Sequence, residues 1–204
     1  MRHRLRLGRI PWINCYPIYA ALDRGIVSVE AEVVTGTAAD LNDLLAAGEL
    51  DVSVVSAVEY ARSAATYHLL PDLAVSCDGP VHSVALFSRR PVHELDGATV
   101  LRTASSRTSV LLLELLCRHR WRVRPKFATV RAESADLDAL AQFPHEAVLV
   151  IGDAALVLAA SVVPKAWARV VIWASSLATV KASLRSAGQP MEAQFTAACT
   201  RGSP

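Results

Sequence analysis

The sequence ATVLRTASSRTSVLLLELL, residues 98–116, contains the transition on which the fold assignment rests. It opens with an apolar, β-branched run typical of a strand, crosses the polar residues 105–109, and continues as an apolar run with the length of a helix. A strand, a polar turn and a helix in this order form the unit of alternating α/β folds. Because such folds bind ligands where strands end and helices begin, this turn is also the first candidate for a binding site.

The same alternation of strands and helices continues on both sides of this stretch. Before it, strand patterns are RLRLGRI, AEVVTG and DVSVVSA, and helical patterns are YPIYAALDRG, AADLNDLLAAGEL and VEYARSAATY. In the second of these helices, Asp40 is the expected N-terminal cap. After the stretch, KFATV and EAVLVIG indicate strands, and SADLDALAQF indicates a helix. This alternation predicts parallel sheets covered by helices.

Two successive runs of this alternation, with a crossover near residues 84–95, predict two α/β lobes with a ligand cleft between them. We assign residues 1–88 to lobe 1 and 89–154 to lobe 2. Residues 155–204 contain one acidic residue against five basic ones, a change of charge sign relative to the preceding chain. We expect this C-terminal segment to complete lobe 2, to return to lobe 1, or to do both.

The composition is that of an ordinary globular protein, with 52% hydrophobic and 20% charged residues and a net charge of +2. Such a small charge gives no argument for a nucleic-acid or membrane-surface partner. Pro11, Asn14 and Pro17 interrupt the basic N-terminus, so it lacks the apolar region of a signal peptide. No stretch has the length and apolarity of a transmembrane helix. We therefore expect a cytoplasmic protein, and the four scattered cysteines are expected to be reduced thiols.

The polar turn at residues 105–109 has two interpretations. A helix N-terminus leaves backbone N–H groups unpaired and carries partial positive charge, so clustered hydroxyls there suit a carboxylate or phosphate. Arg107 adds positive charge if it faces the ligand. Alternatively, Ser105 or Ser106 simply caps the helix and the neighbouring side chains are solvated.

Polar residues also follow the other predicted strands. Asn14 comes after the first strand and offers both a donor and an acceptor, or it satisfies the local turn. Ser56 ends another strand, where a helix cap is the simplest interpretation. A turn at Asp78-Gly79-Pro80 precedes His82, a general base or a solvated side chain, and Ser83. Gly152 and Asp153 end a buried strand, and the glycine permits close backbone approach.

The known motifs for nucleotides and catalytic metals do not occur. The sequence contains no GxGxxG, GxxxxGK[ST], HExxH or EF-hand loop. What remains is a set of strand ends bearing Asn, Ser and Thr, which suits a small, oxygen-rich anion.

Four segments together resemble the chorismate dehydratases of the futalosine route to menaquinone. They are GRIPWINCYPIYAAL; LNDLLAAGELDVSVVSAVEYARS; LLPDLAVSCDGPVHSVALFS with VHELDGATV; and SSRTSVLLLELL followed by VLVIGDAAL. Their order and spacing match over about residues 6–156. Each segment alone is a weak signal, and the combination is specific.

The resemblance implies a two-lobed fold like that of type II periplasmic binding proteins, in a cytosolic enzyme that uses no metal or organic cofactor. The implied reaction converts chorismate, a dicarboxylate, to 3-[(1-carboxyvinyl)oxy]benzoate and water. Alternatives are the sister enzyme 1,4-dihydroxy-6-naphthoate synthase and a non-catalytic small-carboxylate-binding protein. From the strand ends and the resemblance together, we predict Asn14 as catalytic; the predicted substrate-binding residues are Ser56, Gly79, Ser83, Ser105, Ser106, Arg107, Thr108, Ser109, Gly152 and Asp153.

Two departures from the family pattern are visible. His82 occupies a position that is usually not His in the family, which favours a local substitution over a catalytic role. The family's Leu-Gly-Trp-Thr-Gly-Leu-Pro type segment is not found after Asp153. A frameshifted C-terminus and a true family variant both explain this difference, and the other reading frames downstream of codon 153 would distinguish them. The sequence makes no prediction of the oligomeric state.

Overall fold

The computed structural model describes residues 4–75, 80–130, 143–160, 167–173 and 196–201, which form two compact units. One unit comprises residues 1–76, 106–108 and 194–204, and the other comprises residues 77–105 and 109–193. Each unit contains a five-stranded sheet with helices. The helix predicted over residues 134–143 lies almost entirely outside the described residues.

The first unit has the sheet order β2-β1-β3-β10-β4. Strands β1, β2 and β3 pair in parallel, whereas β10 runs antiparallel to both β3 and β4. The five strands are β1 (Leu5–Arg9), β2 (Ala31–Thr35), β3 (Val52–Ser56), β4 (Tyr67–Val75) and β10 (Thr196–Arg201). The helices are α1 (Tyr16–Asp23), α2 (Ala38–Ala47) and α3 (Ala57–Ser63), with a short 3-10 turn at Ile13–Cys15.

The second unit has the sheet order β7-β6-β8-β5-β9. Here β6, β7 and β8 are parallel, and β5 runs antiparallel to β8 and β9. The strands are β5 (Pro80–Ser88), β6 (Thr99–Thr103), β7 (Lys126–Val130), β8 (Ala147–Ile151) and β9 (Ala168–Trp173). The helices are α4 (Thr108–Leu115), which continues as a π-helical segment at Leu116–Trp121, and α5 (Gly152–Ala160), with a 3-10 turn at Val92–Glu94.

Three sequence expectations about these elements were wrong. Among the described strands, each sheet is mixed rather than wholly parallel, because β5 and β10 enter antiparallel. Strand β5 falls in the second unit, so the division follows Ser76 and not residue 88, since its pairing partners β8 and β9 are there. Helix α2 is capped by Thr37, with Asp40 three residues later completing a reciprocal capping box.

Each unit has its own hydrophobic core. Leu41 and Leu45 of α2 pack with Val54 and Val55 of β3 in the first unit. In the second unit, the core residues Phe87, Leu101, Val148, Val150 and Ala155 are at most 2% exposed. Burial at this level, at about 1.5–3 kcal/mol for each large aliphatic or aromatic side chain, fixes the strands whose ends carry the polar residues.

Candidate functional site

Two predicted site residues of the first unit follow neighbouring parallel strands. Strands β1 and β3 run in the same direction, so their carboxyl ends lie at one edge of the sheet. Asn14 lies in the 3-10 turn after β1, where it is exposed. Its amide makes no side-chain hydrogen bond within the part of the chain that the structure describes. Ser56 ends β3 and is 5% exposed.

Ser56 is the N-cap of α3. Its hydroxyl accepts a hydrogen bond from the Glu59 amide at 3.4 Å, as the simplest interpretation of the sequence proposed. The same hydroxyl accepts from Asn42 Nδ2 at 3.2 Å, and the Ser56 amide donates to Asn42 Oδ1 at 3.4 Å. Asn42 therefore fixes both the backbone and the side chain of Ser56.

The carboxylate of Glu59 is buried, with the residue only 5% exposed. Ser56 and Glu59 have the spacing of a capping box, in which the glutamate would accept from the Ser56 amide. Because Asn42 takes that amide, the Glu59 carboxylate is available for other partners. It accepts a hydrogen bond from the Tyr67 hydroxyl at 3.2 Å and forms an ion pair with Arg107.

Arg107 is shared between two carboxylates. Its guanidinium pairs with the buried Glu59 and with the exposed Asp43. Burial alone would lower the pKa of Arg107, but the hydrogen bonds to Asp43 and Glu59 outweigh it and raise the pKa above the ordinary value. The prediction that Arg107 binds the substrate directly is thus not what its contacts favour, because its charge is already compensated.

The polar turn places its members unevenly. Ser106, Arg107 and Thr108 are grouped with the first unit, whereas Ser105 and Ser109 are grouped with the second. The Thr108 hydroxyl accepts from the Val58 amide in the first turn of α3, at 3.2 Å. Helix α4 begins at Thr108, so its predicted start at Ser105 or Ser106 was early.

Ser105 lies in the bend before α4. It is 3% exposed, and its amide donates to the Thr103 hydroxyl at 3.0 Å. Ser106 and Ser109 are half-buried. The carboxyl end of β6 thus carries buried and half-buried hydroxyls, as the sequence predicted for an anion-binding turn, and the ligand itself stays a prediction.

In the second unit, three further predicted residues share one sheet edge with the end of β6. Strand β8 is parallel to β6, and Val84 of the antiparallel β5 pairs with Ile151 at the end of β8. Ser83 is therefore next to Gly152 and Asp153 along this edge. Gly152 has φ +68°, which lets the chain turn sharply from β8 into α5. Gly79 lies outside the described residues, and His82 is exposed.

Sequence reasoning did not select Asn42 and Glu59. A signal existed for Asn42, since it occupies a core-facing position among Ala38, Leu41 and Leu45 of α2. A polar residue on an apolar helix face needs a buried partner. Glu59 gave only the capping-box pattern, which points to the wrong partner, and its pairing with Arg107 spans 48 residues.

Two searches cover the described residues only. They contain no group of three or more His, Cys, Asp or Glu side chains placed to hold a metal ion. Within the same part of the chain, every helix is too short or too polar to cross a membrane.

Comparison with known sequences gives two matches. Residues 5–172 match the family described as menaquinone biosynthesis, which continues beyond residue 156, where the resemblance was expected to end. The chain is also 35% identical over 133 residues to the chorismate dehydratase of Thermus thermophilus. That alignment covers 65% of this chain and 46% of the Thermus protein, so the chain spans about half the length of this curated relative.

Solved structures resemble the chain at low sequence identity. A protein of Archaeoglobus fulgidus superposes with a TM-score of 0.68 and 17% identity, over 100% of this chain and 70% of that one. The alkanesulfonate-binding protein SsuA of Xanthomonas axonopodis pv. citri gives a TM-score of 0.56 at 16% identity, over 97% and 65% of the two chains. These likenesses confirm the predicted fold class, that of type II periplasmic-binding-protein-like α/β proteins.

Proposed function

We propose, on the premise that the chain belongs to the menaquinone-biosynthesis family, that it acts as a chorismate dehydratase. The reaction would convert chorismate to 3-[(1-carboxyvinyl)oxy]benzoate and water, which makes the protein a carbon–oxygen lyase. The observation that carries the proposal is the family match over residues 5–172, because it includes every predicted site residue from Asn14 to Asp153.

The proposed reaction breaks one C–H and one C–O bond of the chorismate ring. The proton leaves C3, its electron pair forms the new ring double bond, and the C4 hydroxyl departs with a proton as water. The ring becomes aromatic, so the product is strongly favoured. The protein then needs to fix the geometry of the substrate and stabilise charge as it develops.

The polar turn at 105–109 suits the substrate's carboxylates. Chorismate is a dianion, and hydroxyls together with N–H groups at the start of α4 are suitable donors to a carboxylate. Helix α4 has eight residues, and Thr108 and Ser109 form its first turn. We assign this turn as the carboxylate seat.

Asn14 is assigned to the reacting end of the substrate. It is exposed at the end of β1, and its amide has both a donor and an acceptor to offer. An amide is a poor base, so we propose that a carboxylate of the substrate itself assists in removing the C3 proton. An analogue that lacks the side-chain carboxylate but is bound and turned over normally would contradict this step.

The test is incubation of the purified chain with chorismate, followed by ultraviolet absorbance as the ring becomes aromatic and by mass spectrometry of the product. Appearance of 3-[(1-carboxyvinyl)oxy]benzoate with loss of water supports the proposal. Binding of chorismate without turnover indicates a carboxylate-binding protein instead. Absence of both binding and turnover excludes the dehydratase and leaves the sister synthase to be assayed.

A further inference from the structure

We propose that the buried Glu59–Arg107 ion pair is a positioning device for the polar turn, and that Arg107 does not contact the substrate. This inference rests on the proposed function, because it assigns the turn as the substrate's carboxylate seat. It adds Glu59, Tyr67 and Asn42 to the residues on which that seat depends.

The chain of contacts begins in the core of the first unit. Asn42 of α2 takes the Ser56 amide, which prevents Glu59 from closing the capping box. The Glu59 carboxylate is held instead by the Tyr67 hydroxyl of β4 at 3.2 Å and by Arg107. Three secondary-structure elements therefore determine where this carboxylate lies.

Two anchors hold the turn to α3. Arg107 binds Glu59, and the next residue, Thr108, accepts a hydrogen bond from the Val58 amide at 3.2 Å. Consecutive residues tied to one helix leave the intervening backbone little freedom. Binding groups must be held to within a fraction of an ångström by such supporting contacts, so loss of an anchor weakens the site.

The charge balance argues against a direct contact between Arg107 and the substrate. One guanidinium faces the carboxylates of Glu59 and Asp43, which together carry a formal charge of −2 against its +1. A substrate carboxylate brought to this group would meet net negative charge and would have to displace Asp43. Glu59 cannot leave without exposing or neutralising a buried charge.

The two roles of Arg107 make opposite predictions for variants of its partners. If Arg107 bound chorismate, then removing the competing charge in Asp43→Asn or Glu59→Gln would strengthen binding. If the pair positions the turn, Glu59→Gln raises KM by on the order of 100-fold with a smaller change in kcat, because the seat binds ground state and transition state alike. Asp43→Asn then leaves the affinity unchanged or slightly weaker, since Asp43 is 69% exposed and folding does not depend on it.

The experiment measures chorismate binding by calorimetry, KM and kcat, and hydrogen exchange of the amides of residues 105–109 without substrate. We expect exchange in Glu59→Gln to be about tenfold faster or more, as expected for the loss of an anchor worth at least 1.4 kcal/mol. Glu146→Gln, which removes the exposed ion pair with Arg90, is the matched control and should change neither readout. Wild-type exchange in Glu59→Gln, or tighter chorismate binding by Asp43→Asn, overturns the inference.

Failure of the proposed function gives a different result. A wild-type chain that neither binds nor converts chorismate refutes the dehydratase, and the exchange measurement still decides whether Glu59 holds the turn. Should Glu59→Gln fail to fold, Tyr67→Phe removes one hydrogen bond to the same carboxylate and gives the exchange readout in a milder form.

Discussion

The side chain of Asn42 makes two hydrogen bonds with Ser56, one from Nδ2 to the hydroxyl at 3.2 Å and one from the Ser56 amide to Oδ1 at 3.4 Å. Asn42 is fully buried, and Ser56 is 5% exposed. The pair joins the middle of α2 to the junction between β3 and α3. It fixes the helix whose first turn also receives Arg107 and Thr108.

Replacing Asn42 with Ala is expected to lower the free energy of unfolding by about 1–3 kcal/mol. The substitution leaves the buried amide of Ser56 without its acceptor, and the enclosed site admits little water in exchange. Urea unfolding followed by circular dichroism measures the loss. Combining Asn42→Ala with Ser56→Ala should cost less than the sum of the single changes, because both act on one contact. Additive losses would show that the two side chains do not cooperate.

Replacing Asn14 with Ala is expected to abolish turnover of chorismate and leave the stability within about 0.5 kcal/mol of wild type. The Asn14 side chain is exposed, so its removal leaves no cavity and no buried polar group. Steady-state kinetics and urea unfolding of the same preparation give both quantities. Near-normal activity in this variant would remove Asn14 from the catalytic assignment.

Replacing Gly8 with Ala is expected to destabilise the first unit by about 1–3 kcal/mol through overpacking. A Cβ atom at this position of β1 would clash with Ser53 Oγ and would approach Leu50 Cδ1 to 2.9 Å. Thermal unfolding measures the effect. Adding Ser53→Gly opens the space and should restore part of the loss; a double variant that is as unstable as the sum of both changes would point to another cause.

The stability of the protein is expected to fall as the pH rises from about 10 to about 12 because of Tyr19. Burial, reinforced by the nearby Cys15, raises the pKa of Tyr19 to about 12 from an ordinary value of 10.0. Its hydroxyl donates to the Gly8 carbonyl at 2.9 Å. Folding favours the protonated phenol, so the contribution is complete below pH 10 and is lost through the folded-state pKa, with a slope of up to about 1.4 kcal/mol per pH unit.

Free energies of unfolding between pH 8 and pH 12 test this prediction. Tyr19→Phe removes the phenol and should flatten the alkaline slope. Tyr16→Phe, on the same helix but at a residue that is 40% exposed, is the matched control and should retain the wild-type slope. An unchanged slope in Tyr19→Phe assigns the alkaline loss to other groups.

Local pattern was sufficient for most individual elements. The strand at 99–103, the polar turn and the following helix appear in the order that the sequence predicted. Ser56 as a helix cap and the turn between β4 and β5 likewise depend on neighbours within a few residues. Side-chain periodicity and capping act over one or two turns, and so they can be read from adjacent residues.

Partner choice was not available from local pattern. The sequence suggested that β5 belonged to lobe 1, whereas it pairs with β8 and β9 of the second sheet. Arg107 was expected to add charge for a ligand, yet its carboxylate partners lie 48 and 64 residues earlier in the chain. Glu59 has the spacing of a capping box, but a fully buried Asn42 takes its place.

The sequence by itself determined the alternation of strands and helices and the polar residues at the strand ends, because these follow from short-range periodicity and capping. Only the tertiary structure decided which strands pair, that β10 lies between β3 and β4, and that Arg107 supports the polar turn through Glu59. Such choices depend on which distant groups are buried together. A buried amide or carboxylate must find a partner wherever the folded chain provides one.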